Sequence, residues 1–533
     1  MREKYFRFLL IVLLFFSASV NSQEVFNVHL TTSSITAVPA VHSGAFAIRN
    51  GKWIFLGGRI DGLHTFQSNM SFPTSHRNDS IYLVDPVANT YKAVSATLLP
   101  VYTYGALCSA NMQFYQDGRY LYMIGGYGSE DSSQSWITFP SLISVDLDSL
   151  ISKIDSSLPI SNCFRQLVDT NLAVAGGALD KIDSTYYLIF GHRFDGRYAH
   201  PPSGLFTQRY THEIRKFTIS DNGMNLSIGN YSVTIDTNDF HRRDFNLAPQ
   251  IYPNQDTGFT VFGGVFQKNS DRPFLTPIDI ASNGIQHQSS FNQNLNQYTT
   301  ALLPVYDSLN NFMHTLFFGG MSLFTLDTAT MSLIQDTLVP FVSTISKVSR
   351  DGAGNLTESK MSENMPSLLG SNAMFIPDTM MMGRYEGRIL DLNSISGNTR
   401  VGFIAGGIHS DFPNIASLDP VGMSRPNAQL YEVYIDKTIN TVSELNLDNS
   451  INDLLVFPNP FNEKLNVNFT IKNESMCEIN LFDRSGKNIK TLLPEKKLKG
   501  EQKFTFIIND LPKGVYLCQV RAGKSLKAVK LVH

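Results

Sequence analysis

The sequence of 533 residues predicts an all-β protein: one four-stranded antiparallel unit repeated about six times, then a small β-sandwich. Three observations carry this. An apolar run ending in Gly-Gly recurs through the middle of the chain. Each run is flanked by polar turns and further short apolar strands. From residue 453 the pattern changes to short alternating strands in a basic segment. The composition agrees, with 42% apolar, 17% charged and 11% aromatic residues and abundant Gly, Phe and Tyr. That excludes wholesale disorder and suits a β-rich extracellular protein of two or three domains.

The chain opens with a basic stretch (Arg2, Lys4, Arg7) and an unbroken apolar run from Phe8 to Phe16. Small and polar residues follow, with Val20 and Ser22 fitting a cleavage site before Gln23. Nine apolar residues are too few for the ~20 needed to span a bilayer, so residues 1–22 read as a secretory signal peptide. No Cys follows the run, and no later stretch is long enough to be a transmembrane segment.

The repeats occupy residues 23–436. The runs are Trp53–Gly58, Tyr122–Gly126, Phe259–Gly264, Leu316–Gly320 and Phe403–Gly407, with a degenerate copy at Tyr187–His192. Taking Gly191 as the first glycine of the degenerate copy leaves that unit without its second. Gly176-Gly177 is out of phase and reads as the turn end of the preceding strand. A strand and a polar turn precede each run, as in Ser43–Ile48 followed by Asn50-Gly51, a strong hairpin signal. A loop, a third strand such as Ser80–Asp85, a turn and a fourth strand opening at Tyr91 complete the unit. Asn427–Asp436 repeats the third-strand pattern in the last unit.

Two apolar strands, a diglycine, then a strand, turn and aromatic resemble kelch repeats, the blades of a β-propeller. The resemblance covers roughly residues 24–436 and implies about six blades closing into a ring, each covering its neighbours' faces. Gly-Gly is expected where side chains would clash near a crowded axis. Phe26–Leu30 is expected to pair into the last blade and close the ring.

Residues 437–452 form a polar linker. Residues 453–533 then carry Pro458-Asn459-Pro460-Phe461, Gly486-Lys487, Leu511–Tyr516 (with Gly514 and Tyr516) and a basic tail. These resemble the type A C-terminal sorting domain of the type IX (Por) secretion system. The resemblance implies a bacterium of the Bacteroidota, passage through the periplasm, the type IX secretion machinery as partner, and release or attachment at the outer-membrane surface.

Residues 453–533 hold 14 basic and 8 acidic residues, against 26 basic and 37 acidic in 23–452. An acidic body without basic runs argues against nucleic acid as a partner. Cys108, Cys163, Cys477 and Cys518 lack metal-ligand spacing, so no metal site is expected. Cys477 and Cys518 are both in phase with core positions of the sorting segment. A bridge between them and two buried free thiols are both open.

In antiparallel blades of strands a to d, b–c loops and d–a connections share one face. The loops after each diglycine should therefore gather at one rim, where propeller ligands usually sit. The third loop is the richest, with His192, Arg193, Asp195, Arg197, Tyr198, His200 and Arg209; Arg242 and Arg243 approach from the next unit. Arginine forks suit carboxylate or phosphate, and aromatic rings suit sugars. Sialidase Asp-boxes, GxSxG, HExxH and P-loop motifs are absent, so no catalytic residue is assigned and no cofactor is indicated. The leading expectation is a binding module for a glycan or protein ligand. A carbohydrate-active propeller enzyme and a structural or adhesive surface component are the rivals.

Overall fold

Each repeat folds as its pattern requires. In the first, Asn50 and Gly51 take φ of 52° and 72° and turn Ala45–Arg49 back onto Lys52–Leu56. Asp85 caps the next turn by accepting from the Val87 and Ala88 N–H groups. This geometry comes from a computed structural model, which describes residues 26–533 except 68–69, 130–134, 200–203, 328–331, 379–382, 384–386, 419–421, 438–450, 484–486 and 524. The signal-peptide reading and nearly all of the linker fall outside the described residues. The chain divides into two compact units between residues 438 and 439.

The first unit is a β-propeller. Among the described residues, six sheets span 45–95, 113–168, 178–235, 246–287, 301–364 and 369–437, their main strands paired antiparallel in chain order; Leu390–Asp391, within the last span, instead pairs parallel with Val305 and Tyr306 on the inner strand of the fifth sheet. The sixth takes its outermost strand from the start of the chain: Asn27–Thr32 pairs antiparallel with Tyr431–Lys437. The ring is thus closed by the N-terminal strand, as Phe26–Leu30 suggested.

Alternation in the second strands explains the closure. Side chains of a strand point to opposite faces in turn. Ile54 and Leu56 pack with Leu121 and Met123 of blade 2, while Trp53 and Phe55 pack with Phe403 and Ala405 of blade 6. Tyr122 and Ile124 face Tyr186 and Leu188 of blade 3, and Tyr187 and Ile189 face Phe259 and Val261 of blade 4. Phe262 meets Phe317, and Phe318 meets Ile404. Every junction therefore has its own apolar core, and a strand covered on both faces must be apolar at every position. The helix Leu147–Asp155, which the repeat pattern does not announce, joins the first of these cores through Leu147, Leu150, Ile151 and Ile154. Asp146 caps it by accepting from the Ser149 N–H.

The diglycines act at the junctions, not at the axis. A Cβ on Gly57, Gly125, Gly263, Gly319 or Gly406 would lie 1.9–2.3 Å from a main-chain oxygen of the following blade's approach. The second glycine donates its N–H across the same junction: Gly58 to Ser109 O, Gly126 to Val174 O, Gly264 to Gln297 O, Gly320 to Leu369 O and Gly407 to Val41 O. In the third blade Gly191 fills this second position, donating to Arg242 O at 2.9 Å. The missing glycine is therefore the first one. Phe190 stands there at φ 51°, its ring buried against Phe240 and Phe245. Gly176-Gly177 is also corrected: it opens the inner strand Ala178–Ile182 rather than closing an earlier one.

The second unit is a small sandwich. Lys464–Phe482 pairs first with Ile451–Phe457 and the end of Asn488–Ile507, then, past a register shift at 471–475, with the start of Asn488–Ile507 and with Val515–Ala522. The layers enclose Leu465, Val467, Phe469, Ile479, Leu481 and Val520. Cys477 lies opposite Ala522, and Cys518 opposite Leu481. Four residues of register put them about 13 Å apart, too far for a disulfide. All four cysteines are buried free thiols.

Candidate functional site

The b–c and d–a connections do share one face. His42 bridges Arg59, Ala110 bridges Tyr127, Ala175 bridges His192 and Arg243 bridges Val265. Hairpins extend the face in blade 2 (Tyr127–Ser129 with Trp136–Thr138), blade 3 (His192–Gly196 with Phe206–Tyr210) and blade 5 (Phe324–Asp327 with Ser332–Gln335).

The blade 3 hairpin sorts the candidate residues by alternation. His192 and Phe194 point inward and are buried, whereas Arg193 points outward. Arg193 lies directly opposite Arg209, which is also exposed. Asp195 accepts from Arg193 Nε at 2.6 Å. Tyr198 is not a free platform. It packs against His64 at 4.5 Å and among Phe66, Phe72, Phe194 and Phe206. Arg197 lies 4.4 Å over the Trp136 ring. His200 lies outside the described residues.

Arg242 and Arg243 separate. Arg242 is 1% exposed and spends its guanidinium on main-chain oxygens of Asp239, Gly263 and Thr276. That ties the blade 3–4 junction and gives no surface for a ligand. Arg243 roofs the axis: Nη1 donates to Asp244 Oδ2 at 2.8 Å and Nε to Tyr210 Oη at 3.2 Å. Burial opposes its charge, but Tyr210 and Asp244 outweigh that and keep it protonated. Burial, then the Arg243 charge, holds His64 down at about 4 and His192 well below its usual value. His192 Nδ1 accordingly accepts from Gln208 Nε2 at 2.7 Å. Beside them Tyr210 stacks on His241 at 3.7 Å, and His241 hydrogen-bonds His212 at 2.6 Å.

Below this roof a chain of main-chain bonds runs around the axis, one residue per blade. The Asn111 N–H donates to Ser43 O, Gly176 to Asn111 O, Asp244 to Gly176 O, Thr299 to Asp244 O and Asn372 to Thr299 O, all at 2.7–2.9 Å. Under the ring lies a channel of about 710 Å³ walled by the six inner strands. Arg388, from the long a–b connection of blade 6, reaches across it to Asp180 of blade 3 with a bidentate ion pair.

Asp236, Asp239 and His287 bring three metal-capable side chains together. The carboxylates take opposite nitrogens of the imidazole, Asp239 Nδ1 at 2.9 Å and Asp236 Nε2 at 4.0 Å. Both are ion-pair separations that carry charge attraction only when the imidazole is protonated. His64, Tyr298 and Arg388 escaped the sequence reading. The long gap between the fifth and sixth diglycines was the one signal, since it required an insertion.

In the second unit the sorting-signal residues gather at one end. Asn459 bonds Lys530 O and the Val532 N–H, and Phe461, 1% exposed, donates its N–H to Val532 O. Gly514 and His533 exchange both main-chain bonds, and Tyr516 Oη donates to Pro512 O. Lys487 N–H donates to Asp483; Gly486 lies outside the described residues. Pro458 and Pro460 border the same end.

Residues 455–533 match the family of secretion system C-terminal sorting domains, the Por secretion tail. The protein is therefore secreted or attached at the cell surface through the type IX machinery, its partner in export. Among the described residues no helix is long and apolar enough to cross a membrane. No curated protein matches the chain. Similar solved structures include YjhT, with 12% identity and a TM-score of 0.42 over 74% of this chain and 95% of that one. A copper-bound fungal alcohol oxidase of the AA5 family shows 10% identity and a TM-score of 0.37 over 95% and 99%. PorZ, a surface component of the type IX secretion system of Porphyromonas gingivalis, shows 9% identity and a TM-score of 0.22 over 92% and 59%.

Proposed function

We propose that the protein is a kelch-type propeller of a Bacteroidota bacterium, led out by its signal peptide, that binds an acidic glycan on the b–c face after export. The observation that carries the reading is the exposed Arg193–Arg209 pair. Like charges directly opposite across two strands repel. Asp195 neutralises one of them, and the other stands on an otherwise acidic body. A carboxylate or sulfate between the two forks relieves the repulsion with charge-assisted bonds.

The test is titration of the mature chain with polygalacturonate and chondroitin sulfate, with a neutral glucan as control. Arg193→Ala and Arg209→Ala each lower affinity for the acidic polymers about tenfold, and raised salt does the same. Equal binding of the neutral glucan, or unchanged affinity in both variants, would sink the proposal.

A further inference from the structure

We propose that the axial channel is a second binding site, for a straight-chain alkyl carboxylate that enters tail-first from the end where strands a turn into strands b. The main-chain ring narrows the opposite end. Six residues linked by five main-chain bonds at hydrogen-bonded strand spacing, about 5.5 Å between Cα atoms, leave about 11 Å between opposed Cα atoms, a neck of about 7 Å once carbon radii are removed. The Arg243 roof lies beyond it. What remains is a channel of about 710 Å³ narrowed at that end, within the usual range of ligand cavities.

Within a mixed wall, one apolar collar runs all the way round. Each blade contributes one half-buried residue: Phe46, Phe114, Ala178, Leu247, Leu302 and Met374. Water against such a collar is readily displaced by an alkyl chain. Charge then orients the ligand. Asp244 lines the narrow end, and among the described lining residues Arg388 is the one cation. Arg388 is a quarter exposed and held in place by Asp180. A head carboxylate shares that guanidinium while the tail fills the collar.

The probe is 11-(dansylamino)undecanoic acid added to the mature chain, displaced by a series from hexanoate to dodecanoate. One saturable site is expected, with affinity rising about fourfold per methylene until the chain outgrows the tube. Leu302→Trp and Ala178→Leu narrow the lumen and weaken every ligand at least tenfold, with unfolding midpoints recorded to show that the ring persists. Arg388→Gln weakens dodecanoate about tenfold and leaves dodecanol unchanged. Absence of saturable binding overturns the proposal. So does full affinity in a narrowed variant with the parent's unfolding midpoint, or loss of binding in Arg193→Ala, which would move the site to the b–c face.

Discussion

The junction role of the diglycines predicts a large difference between two chemically identical substitutions. Gly51 and Gly125 both have positive φ, 72° and 68°. A Cβ on Gly51 meets nothing within 4 Å, whereas one on Gly125 lies 1.9 Å from Val174 O. Gly51→Ala therefore costs only the left-handed strain, about 1–2 kcal/mol. Gly125→Ala adds the displacement of Val174. That breaks the 2.8 Å bond from the Gly126 N–H and strands a buried donor, another 1–3 kcal/mol. The entropy that alanine removes from the unfolded chain is the same in both and cancels. Guanidinium unfolding followed through Trp53 and Trp136, both buried in the propeller, gives the two midpoints and slopes. Gly125→Ala should lose about 2 kcal/mol more than Gly51→Ala. Equal losses would show that the second strand does not depend on the bond to the next blade, and the stitched-ring account would fail.

Closure makes the first strand indispensable: Phe26, fully buried among blade 5 and 6 residues, should cost about 3–5 kcal/mol as Phe26→Ala in the same assay. Acid should destabilise the propeller. Burial lowers His42 and His64 to about 4 and His314 to about 3, so the unfolded chain takes up these protons first. Their contribution is complete above about pH 6.5 and is lost as pH falls towards 4, at about 1.4 kcal/mol per pH unit for each. Glu358 runs the other way. Burial raises it to about 7 against the bonds it accepts from the Asn294 and Leu295 N–H groups, so its contribution is present below about pH 4.5 and fades as pH rises through 7. Unfolding midpoints at pH 7 and 5 should fall less in His64→Gln than in the parent, and an equal fall would refute the assignment. All four thiols should resist a thiol reagent in the native chain and titrate fully in guanidinium, with Cys108 and Cys518 pushed up to about 12 by burial. A mass deficit of one disulfide would contradict the strand register.

What could be read in the sequence was whatever repeats as side-chain pattern. The apolar second strands, the Asn50-Gly51 turn and the sorting motif around Pro458–Phe461 are physical demands written in residue type. The third diglycine was misplaced because Phe190 occupies a left-handed position by packing, which composition does not reveal. The main-chain ring was invisible for a related reason. Its members Ser43, Asn111, Gly176, Asp244, Thr299 and Asn372 share no side-chain chemistry, and five of them share only a positive φ. Among the candidate residues, the sequence could locate the third loop. It could not say that alternation turns His192 inward and Arg193 outward, nor that Arg242 faces main-chain oxygens.

The ring also governs how the two proposed sites should behave together. A ligand held by Arg193 and Arg209 lies on the roof side, and one in the collar lies beneath. Between them are five consecutive main-chain bonds and the Arg243–Asp244 pair. Coupling between sites requires an element with two arrangements that both ligands bias. A ring fixed by backbone bonds and backed by six separate apolar cores offers little such freedom. Saturating the mature chain with dodecanoate should therefore leave its affinity for polygalacturonate unchanged within about twofold, and the reverse should hold by linkage. The break in the chain of bonds is the place where this could fail, since among the described residues none joins Asn372 to Ser43. If occupancy of one site shifts the other more than fivefold, Asn372→Ala should alter the coupling while leaving each single affinity intact. Coupling that ignores this position would mean that the ring does not divide the axis.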